Sequence, residues 1–406
     1  MDRPGARFGT AAIHGAGGDP EPPPRSHATP LFQSTAFTFP DARTGQEAFR
    51  GSGDYLYTRQ GNPTVRALES RMALLEVFPV TDPGGQPAGI DGPRAVDACF
   101  FASGMAAIGA VALATCAGGK RLVAQEGIYG TSETFLRGLD GFGIEVSFAP
   151  AGDLDALERS VRAGPLPALV YVETPANPRL QLTDVAAAAG IAHEAGALLA
   201  VDATFASPAL LRPLRWGADF SIHSTTKFVS GHGVAIGGIV SGEEARIADM
   251  IRPARTGLGG SPDPFAAWLT LLGLATLPVR MERHCRTAAA LAQALRSETA
   301  VQIVHYPDPA TLPAGQLAAG GAMLAFEVEG GETAARRVMD RLEVVTLAAT
   351  LGTLDTLIQH PASMSHVVIP ESRRRELGIR PGLLRVSVGL EDPEDLLEDF
   401  ARALAD

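Results

Sequence analysis

The sequence predicts an α/β fold: a large domain built on a mostly parallel sheet, followed by a smaller C-terminal α+β domain. Three observations carry this. Short apolar runs recur at residues 121–125, 144–149, 168–173, 198–202, 220–223 and 236–240. Helical patterns or loops separate most of them, the alternation that sets parallel strands side by side with helices on both faces. After about residue 275 the pattern changes to helices around two isolated strand-like runs. A chain of 406 residues also exceeds one simple core and suits a large and a smaller domain.

The elements follow in order. Residues 1–63 are rich in Pro, Gly and Ala with little periodicity and read as an extended arm that packs on another subunit. Asn62-Pro63 is a turn signal. A helix starts near Thr64, because Val65, Leu68, Met72 and Leu75 recur at helical spacing. Residues 78–95 read as a surface loop. Ser103-Gly104-Met105 then opens an apolar helix, and the six strand-like runs follow. The large domain is expected over 64–275 and the small one over 276–406. The small domain holds a helix at 280–295, a strand in MLAFEVEG, a helix at 333–342, a strand in LLRVSVG, and a last helix capped by Asp392 with Pro393 at its first position.

Composition narrows the function classes. Hydrophobic residues make up 46% and charged residues 19%, the balance of a soluble globular protein. A net charge of −11 argues against nucleic acid or an anionic membrane as the main partner. The longest apolar run, 106–117, is too short to span a bilayer. No apolar leader segment is seen at the N-terminus. Cys99, Cys116 and Cys285 form no CxxC pair, which excludes a zinc framework and fits a reducing, cytoplasmic setting.

Lysine is nearly absent: Lys120 and Lys227 are the only two, against 32 arginines. Lys227 sits in SIHSTTKFVSGHG, among hydroxyls and followed by glycines. Twenty-five residues earlier, the run Leu198–Asp202 ends in an acid, at the strand end where α/β proteins place ligands. Ser103-Gly104-Met105 offers free backbone N–H groups at a helix start, a setting for phosphate. Tyr57-Thr58-Arg59 adds a phenol and a guanidinium. Each feature alone has an ordinary structural explanation: a strand-end Asp is more often a cap or an ion-pair partner, and a lone Lys is usually solvated. Together they suit one cofactor. Pyridoxal phosphate needs a lysine for its Schiff base, an Asp for its ring nitrogen, and hydroxyls, amides and an arginine for its phosphate. His223, His232 and His366 read as structural or as merely near the site.

VDATFASP, HSTTKFVSGHGVAIGG, QHPASMSH and GLLRVSVGLED, with YLYTRQGNPT, FASGMAA and ETPANP, give the chain from about Phe8 onward a resemblance to the Cys/Met-metabolism family of PLP enzymes. That family includes cystathionine γ-synthase, cystathionine γ-lyase, methionine γ-lyase and O-acetylhomoserine sulfhydrylase. The resemblance implies the type I fold of PLP enzymes with a seven-stranded sheet. It matches Lys227 to the Schiff-base lysine, Asp202 to the ring-nitrogen partner, and Tyr129 to the tyrosine that stacks on the ring and exchanges protons. Gly104, Met105, Ser224 and Thr226 match the phosphate cradle, and Asn177 a contact to the ring hydroxyl. Arg385 matches the arginine for the substrate carboxylate. It shares a strand face with Ser387, opposite Leu384, Val386 and Val388. Tyr57 and Arg59 match residues that reach the neighbouring subunit's phosphate, which implies an active-site-sharing homodimer and, in this family, a homotetramer.

Some positions depart from the family pattern. Ala203 replaces the usual Asn after the Asp, removing one polar group expected near the cofactor. Ala349 stands where cystathionine enzymes carry Glu, Thr131 where methionine γ-lyases carry Cys, and Thr350 where Ser is usual beside the lysine. The implied chemistry is γ-elimination or γ-replacement on a sulfur-containing or O-activated homoserine-type amino acid. The alternatives are β-elimination by a C–S lyase, γ-substitution on an unusual amino acid of secondary metabolism, and a catalytically dead scaffold kept as a binding module.

Overall fold

The computed structural model describes residues 7–14, 26–51, 55–90, 95–367 and 369–405. The rest of the expected N-terminal arm lies outside the described residues. Helix α1 (Phe8–His14) packs on its own chain, with Ala11 and Ala12 in the apolar cluster of Leu68, Met72, Leu271 and Leu274. Helix α2 (Pro63–Glu76) begins where the sequence placed it. The Asn62 side chain accepts from Thr64 N, and Pro63 occupies the first turn, where its missing N–H costs nothing.

The large sheet has seven strands: β1 (Val96–Phe101), β2 (Arg121–Gln125), β3 (Val146–Ala149), β4 (Pro167–Glu173), β5 (Leu198–Asp202), β6 (Phe220–His223) and β7 (Gly238–Glu243). Their order is β1-β7-β6-β5-β4-β2-β3, and only β7 runs antiparallel to its neighbours. Strand β1 lies between the expected loop at 78–95 and the helix at Ser103, where the sequence reading placed no element. Its sequence, VDACFF, carries an acid and few β-branched residues, so its pattern is weak. The expected loop at 78–95 contains a two-residue ladder, Val80–Thr81 against Pro87–Ala88, closed by a turn at Asp82. Residues 91–94 of it lie outside the described residues.

Alternation along the strands divides the core. Val123, Val170, Val172, Leu199 and Val201 face one apolar cluster, while Leu122, Ala124, Leu169, Tyr171 and Ala200 face the other. Helix α3 (Gly104–Thr115) packs on the second face.

The small sheet comprises β8 (Val301–His305), β9 (Met323–Val328), β10 (Thr346–Leu347), β11 (Leu357–Gln359) and β12 (Leu383–Ser387), in the order β8-β9-β12-β11-β10. The helix expected at 280–295 is longer. Helix α4 (Pro264–Leu295) runs through residue 275, so the expected domain boundary falls inside one continuous helix. Leu271, Leu274 and Met281 belong to the large domain's core, and Leu291 and Leu295 to the small domain's. Among the described residues α4 is the one helix long and apolar enough to cross a membrane. Half of that apolar stretch is buried inside the molecule.

Candidate active site

The C-terminal ends of β1, β4, β5 and β6 open into a cavity of about 570 Å³ that the small domain closes from the far side. Thirteen of the residues singled out in the sequence line it: Ser103, Gly104, Met105, Tyr129, Thr131, Asn177, Asp202, Ser224, Thr226, Lys227, Ala349, Thr350 and Arg385. Tyr57 and Arg59 do not. Both are exposed, with the Arg59 guanidinium 5.1 Å from the centre of the Tyr57 ring. Buried Arg255 donates to Gln60 O at 2.9 Å, and Ser261 donates to Arg59 O at 3.0 Å, fixing this stretch away from the chain's own cavity.

Asp202 is built into the floor. Its Oδ1 accepts from Thr204 N at 3.0 Å and Thr204 Oγ1 at 2.5 Å, and its Oδ2 accepts from Tyr171 Oη at 3.3 Å. Burial raises its pKa, and the bonds from Thr204 oppose that rise. Thr204 Oγ1 also accepts from Ser224 N at 2.9 Å. One hydroxyl therefore ties the acid to the start of the lysine segment. Strand alternation, carried one residue beyond β5, turns Ala203 to the opposite face, where it is wholly buried in the apolar cluster with Val201. The expected loss of a polar group beside the cofactor is thus corrected: Ala203 does not line the cavity.

Opposite Asp202 is the N-terminus of α3. Ser103 caps it by accepting from Ala106 N at 3.1 Å. A Cβ on Gly104 would lie 2.9 Å from Ser224 Cβ, so only glycine lets the helix start approach the Ser224 hydroxyl this closely. Thr226 Oγ1 exchanges hydrogen bonds with Gly237 at 3.0 and 3.2 Å, holding the segment against the chain leading into β7.

Lys227 Nζ donates to Thr350 Oγ1 at 3.2 Å. Burial pulls its pKa down to about 8, helped by the charge of Arg385. The turn carrying Thr350 presses on the lysine backbone. Gly352 has φ +76°, and a Cβ there would lie 2.7 Å from Phe228 N.

Arg385 comes from β12 with neutral partners. It donates to Asn177 Oδ1 at 2.9 Å and Thr350 O at 3.3 Å. The Gln359 amide, with its oxygen toward the guanidinium, accepts from Nη1 and Nη2 at 3.0 Å each. Gln359 is Arg385's cross-strand neighbour on β11. Burial lowers the Arg385 pKa to about 10. A buried cation held by neutral acceptors is a receptor for a carboxylate.

Sequence reasoning missed Glu173, Thr204, Tyr171 and Gln359. Three of them had a readable signal. Glu173 ends a strand as Asp202 does, Gln359 opens QHPASMSH, and Thr204 is two residues beyond the acid. His223 is structural, as expected: it is fully buried, with Nε2 2.5 Å from Glu76 Oε1.

Comparison with known proteins agrees with this geometry. Residues 9–405 match the family model for Cys/Met metabolism PLP-dependent enzymes. An L-methionine gamma-lyase of Porphyromonas gingivalis is 38% identical over 98% of this chain and 96% of its own length. An O-succinylhomoserine sulfhydrylase of Pseudomonas aeruginosa is 38% identical over 100% of this chain and 96% of its own. A crystal structure of cystathionine gamma synthase from Xanthomonas oryzae pv. oryzae, in complex with aminoacrylate and cysteine, superposes with a TM-score of 0.87 at 36% identity, covering 98% of each chain. The chain belongs to the Cys/Met metabolism family of PLP-dependent enzymes. Its residues fit the cofactor. The site pairs a low-pKa amine with a buried acid, and Gly104 leaves open a cradle of helix-start amides and hydroxyls.

Proposed function

We propose that this enzyme carries out γ-elimination or γ-replacement on a homoserine-skeleton amino acid whose γ-substituent is uncharged, as in methionine. The observation that carries the substrate class is the composition of the wall. Among the described residues the charged groups lining the cavity are Glu173, Asp202, Lys227 and Arg385; the last three are taken up by the cofactor and the substrate's own carboxylate, and Glu173 is held by two backbone N–H groups. The remaining lining includes Thr131, Phe205, Ala349, Leu351 and Met364, which suits a thioether tail rather than a second carboxylate.

Bound pyridoxal phosphate supplies an electron sink conjugated to the substrate Cα. Asp202 would hold its ring nitrogen; Gly104, Met105, Ser224 and Thr226 its phosphate; and Asn177 its ring hydroxyl. Arg385 binds and orients the substrate carboxylate, so that the Cα–H faces Lys227. The Lys227 amine, tuned toward neutrality, takes the Cα proton and carries protons along the side chain. The Tyr129 phenol, at the cavity's exposed side, exchanges a proton with the departing group. Elimination and replacement share these early steps, and access of water or a second nucleophile decides between them.

Incubation with a panel of sulfur-containing and O-acylated amino acids tests the reading. The expected result is 2-oxobutanoate from methionine, or new thioethers from O-acylated homoserine with a thiol, identified by mass spectrometry. Pyruvate as the main product would replace it with β-elimination.

Arg385→Ala is expected to raise KM roughly 10- to 100-fold, the worth of a lost charge-assisted hydrogen bond, with kcat changed less. An unchanged KM removes the carboxylate role from Arg385.

The proposal extends to assembly. The exposed placement of Tyr57 and Arg59 supports a homo-oligomer in which each chain completes its neighbour's site. The exposed apolar side chains Val234 and Ile236, just beyond Lys227 in the chain, fit a partner surface. A homotetramer of two such dimers and a cytoplasmic location follow the same reading.

A further inference from the structure

Glu173 is a buried carboxylate inside the cavity with no part in the chemistry described above. It ends β4, directly beside Asp202 at the end of β5. Alternation puts both acids on the face of Tyr171 and Ala200, toward the cavity. Two buried carboxylates side by side are costly. The contacts of Glu173 show what offsets that cost. Its Oε2 accepts from Tyr129 N at 3.0 Å, and its Oε1 accepts from Asn177 N at 2.7 Å. The Asn177 side chain then accepts from Arg385 at 2.9 Å.

Among the described residues, Glu173 is the one side chain that holds the Tyr129 backbone N–H. Tyr129 stands at the start of the helix Gly130–Arg137 without a side-chain cap, and its ring is exposed. Its backbone N–H, held by Glu173, locates the phenol relative to the sheet. A glutamine side chain could not do the same for both neighbours. A glutamine amide offers one acceptor oxygen, and its NH₂ group would meet the second N–H donor head on.

We propose that Glu173 is a positioning residue whose two carboxylate oxygens set the backbone of Tyr129 and Asn177, and thereby the places of the phenol and of the Arg385 guanidinium. This rests on the functional reading above for the roles of Tyr129 and Arg385. The placement of the two backbone segments stands apart from it.

Two measurements on the full-length holoenzyme test the proposal. Hydrogen exchange followed by mass spectrometry is expected to quicken about tenfold in the peptides around Tyr129 and Asn177 of Glu173→Gln, with β2 and β5 protected as in the unaltered enzyme. With whichever panel substrate turns over, kcat/KM is expected to fall about 100-fold, the cost of a misplacement near 1 Å. In a Tyr129→Phe background the same substitution is expected to cost less than tenfold, because much of its effect passes through the phenol. Unchanged exchange at both segments overturns the proposal, as does a cost that multiplies in full with that of Tyr129→Phe. Should Glu173→Gln fail to fold, Glu173→Asp, which keeps the charge but is too short to reach both N–H groups, is read by the same criteria. If the unaltered enzyme turns over no panel substrate, the functional reading falls while the exchange result still decides the role of Glu173.

Discussion

Lys227→Ala is expected to yield a folded protein whose kcat falls at least about 1,000-fold with every substrate, more than the loss of any one positioning contact. The reason lies in the surroundings of the amine. Lys227 is the cavity's one basic group that can lose its charge near neutral pH; Arg385, the other cation, stays protonated. Removing the side chain leaves Thr350 with one hydrogen bond fewer and should not disturb the backbone, which the turn at Gly352 and the bonds of Thr226 hold independently. Borohydride reduction of the unaltered holoenzyme should place the phosphopyridoxyl mass on the Lys227 peptide and not on that of Lys120. The pH dependence gives a second check. Only the neutral amine attacks a carbonyl, so covalent loading of apoenzyme should rise with pH and level off just above pH 8. An unperturbed lysine would keep rising past pH 10. Normal turnover by Lys227→Ala, or a modified Lys120, would discard the assignment.

How far the sequence led depended on the kind of signal. Strands β2, β4, β5 and β6 were legible because each is an apolar run buried almost throughout, while the edge strand β3, only partly buried, was legible from its short apolar run alone. Strand β1 was not, because its burial comes from Ala, Cys and Phe beside an acid whose partners, Arg66 and Arg252, are distant in sequence. Helix α4 was read sixteen residues too short at its start because its first half is apolar on more than one side. Lys227, Asp202 and Arg385 were readable as residue types that one cofactor and one substrate demand. Glu173 and Gln359 stood at readable places, but their roles were not legible, since their value lies in what they hold: two backbone N–H groups in one case, a cross-strand guanidinium in the other. Such partnerships exist only once strands are in register. Ala203 shows the converse. A departure from the family pattern looked chemical in one dimension and proved to be packing in three.

The remaining large effect concerns Asp202. Asp202→Asn keeps the shape and leaves the Thr204 and Tyr171 contacts within reach, the latter with the amide NH₂ donating to Tyr171 Oη, and it replaces a charged acceptor by a neutral amide. If that charge holds a protonated ring nitrogen, kcat is expected to fall roughly 100- to 1,000-fold, the usual cost of losing one preorganised electrostatic contact to developing charge. KM should change little, because Arg385, proposed to bind the carboxylate, is on the other domain. Two features of the site bear on the sign. Burial pushes both acids toward protonation, and the charge of Asp202 adds to it at Glu173, which is raised to about 8. A cation facing Asp202 pulls it the other way, and the Thr204 bonds favour the anion too. The variant should therefore also lower cofactor affinity, since it leaves a buried positive charge without its partner. Titration of apoenzyme with pyridoxal phosphate measures that directly. Full activity and unaltered affinity in Asp202→Asn would mean that the ring nitrogen is not protonated in this enzyme, and the electron sink would then have to work without it.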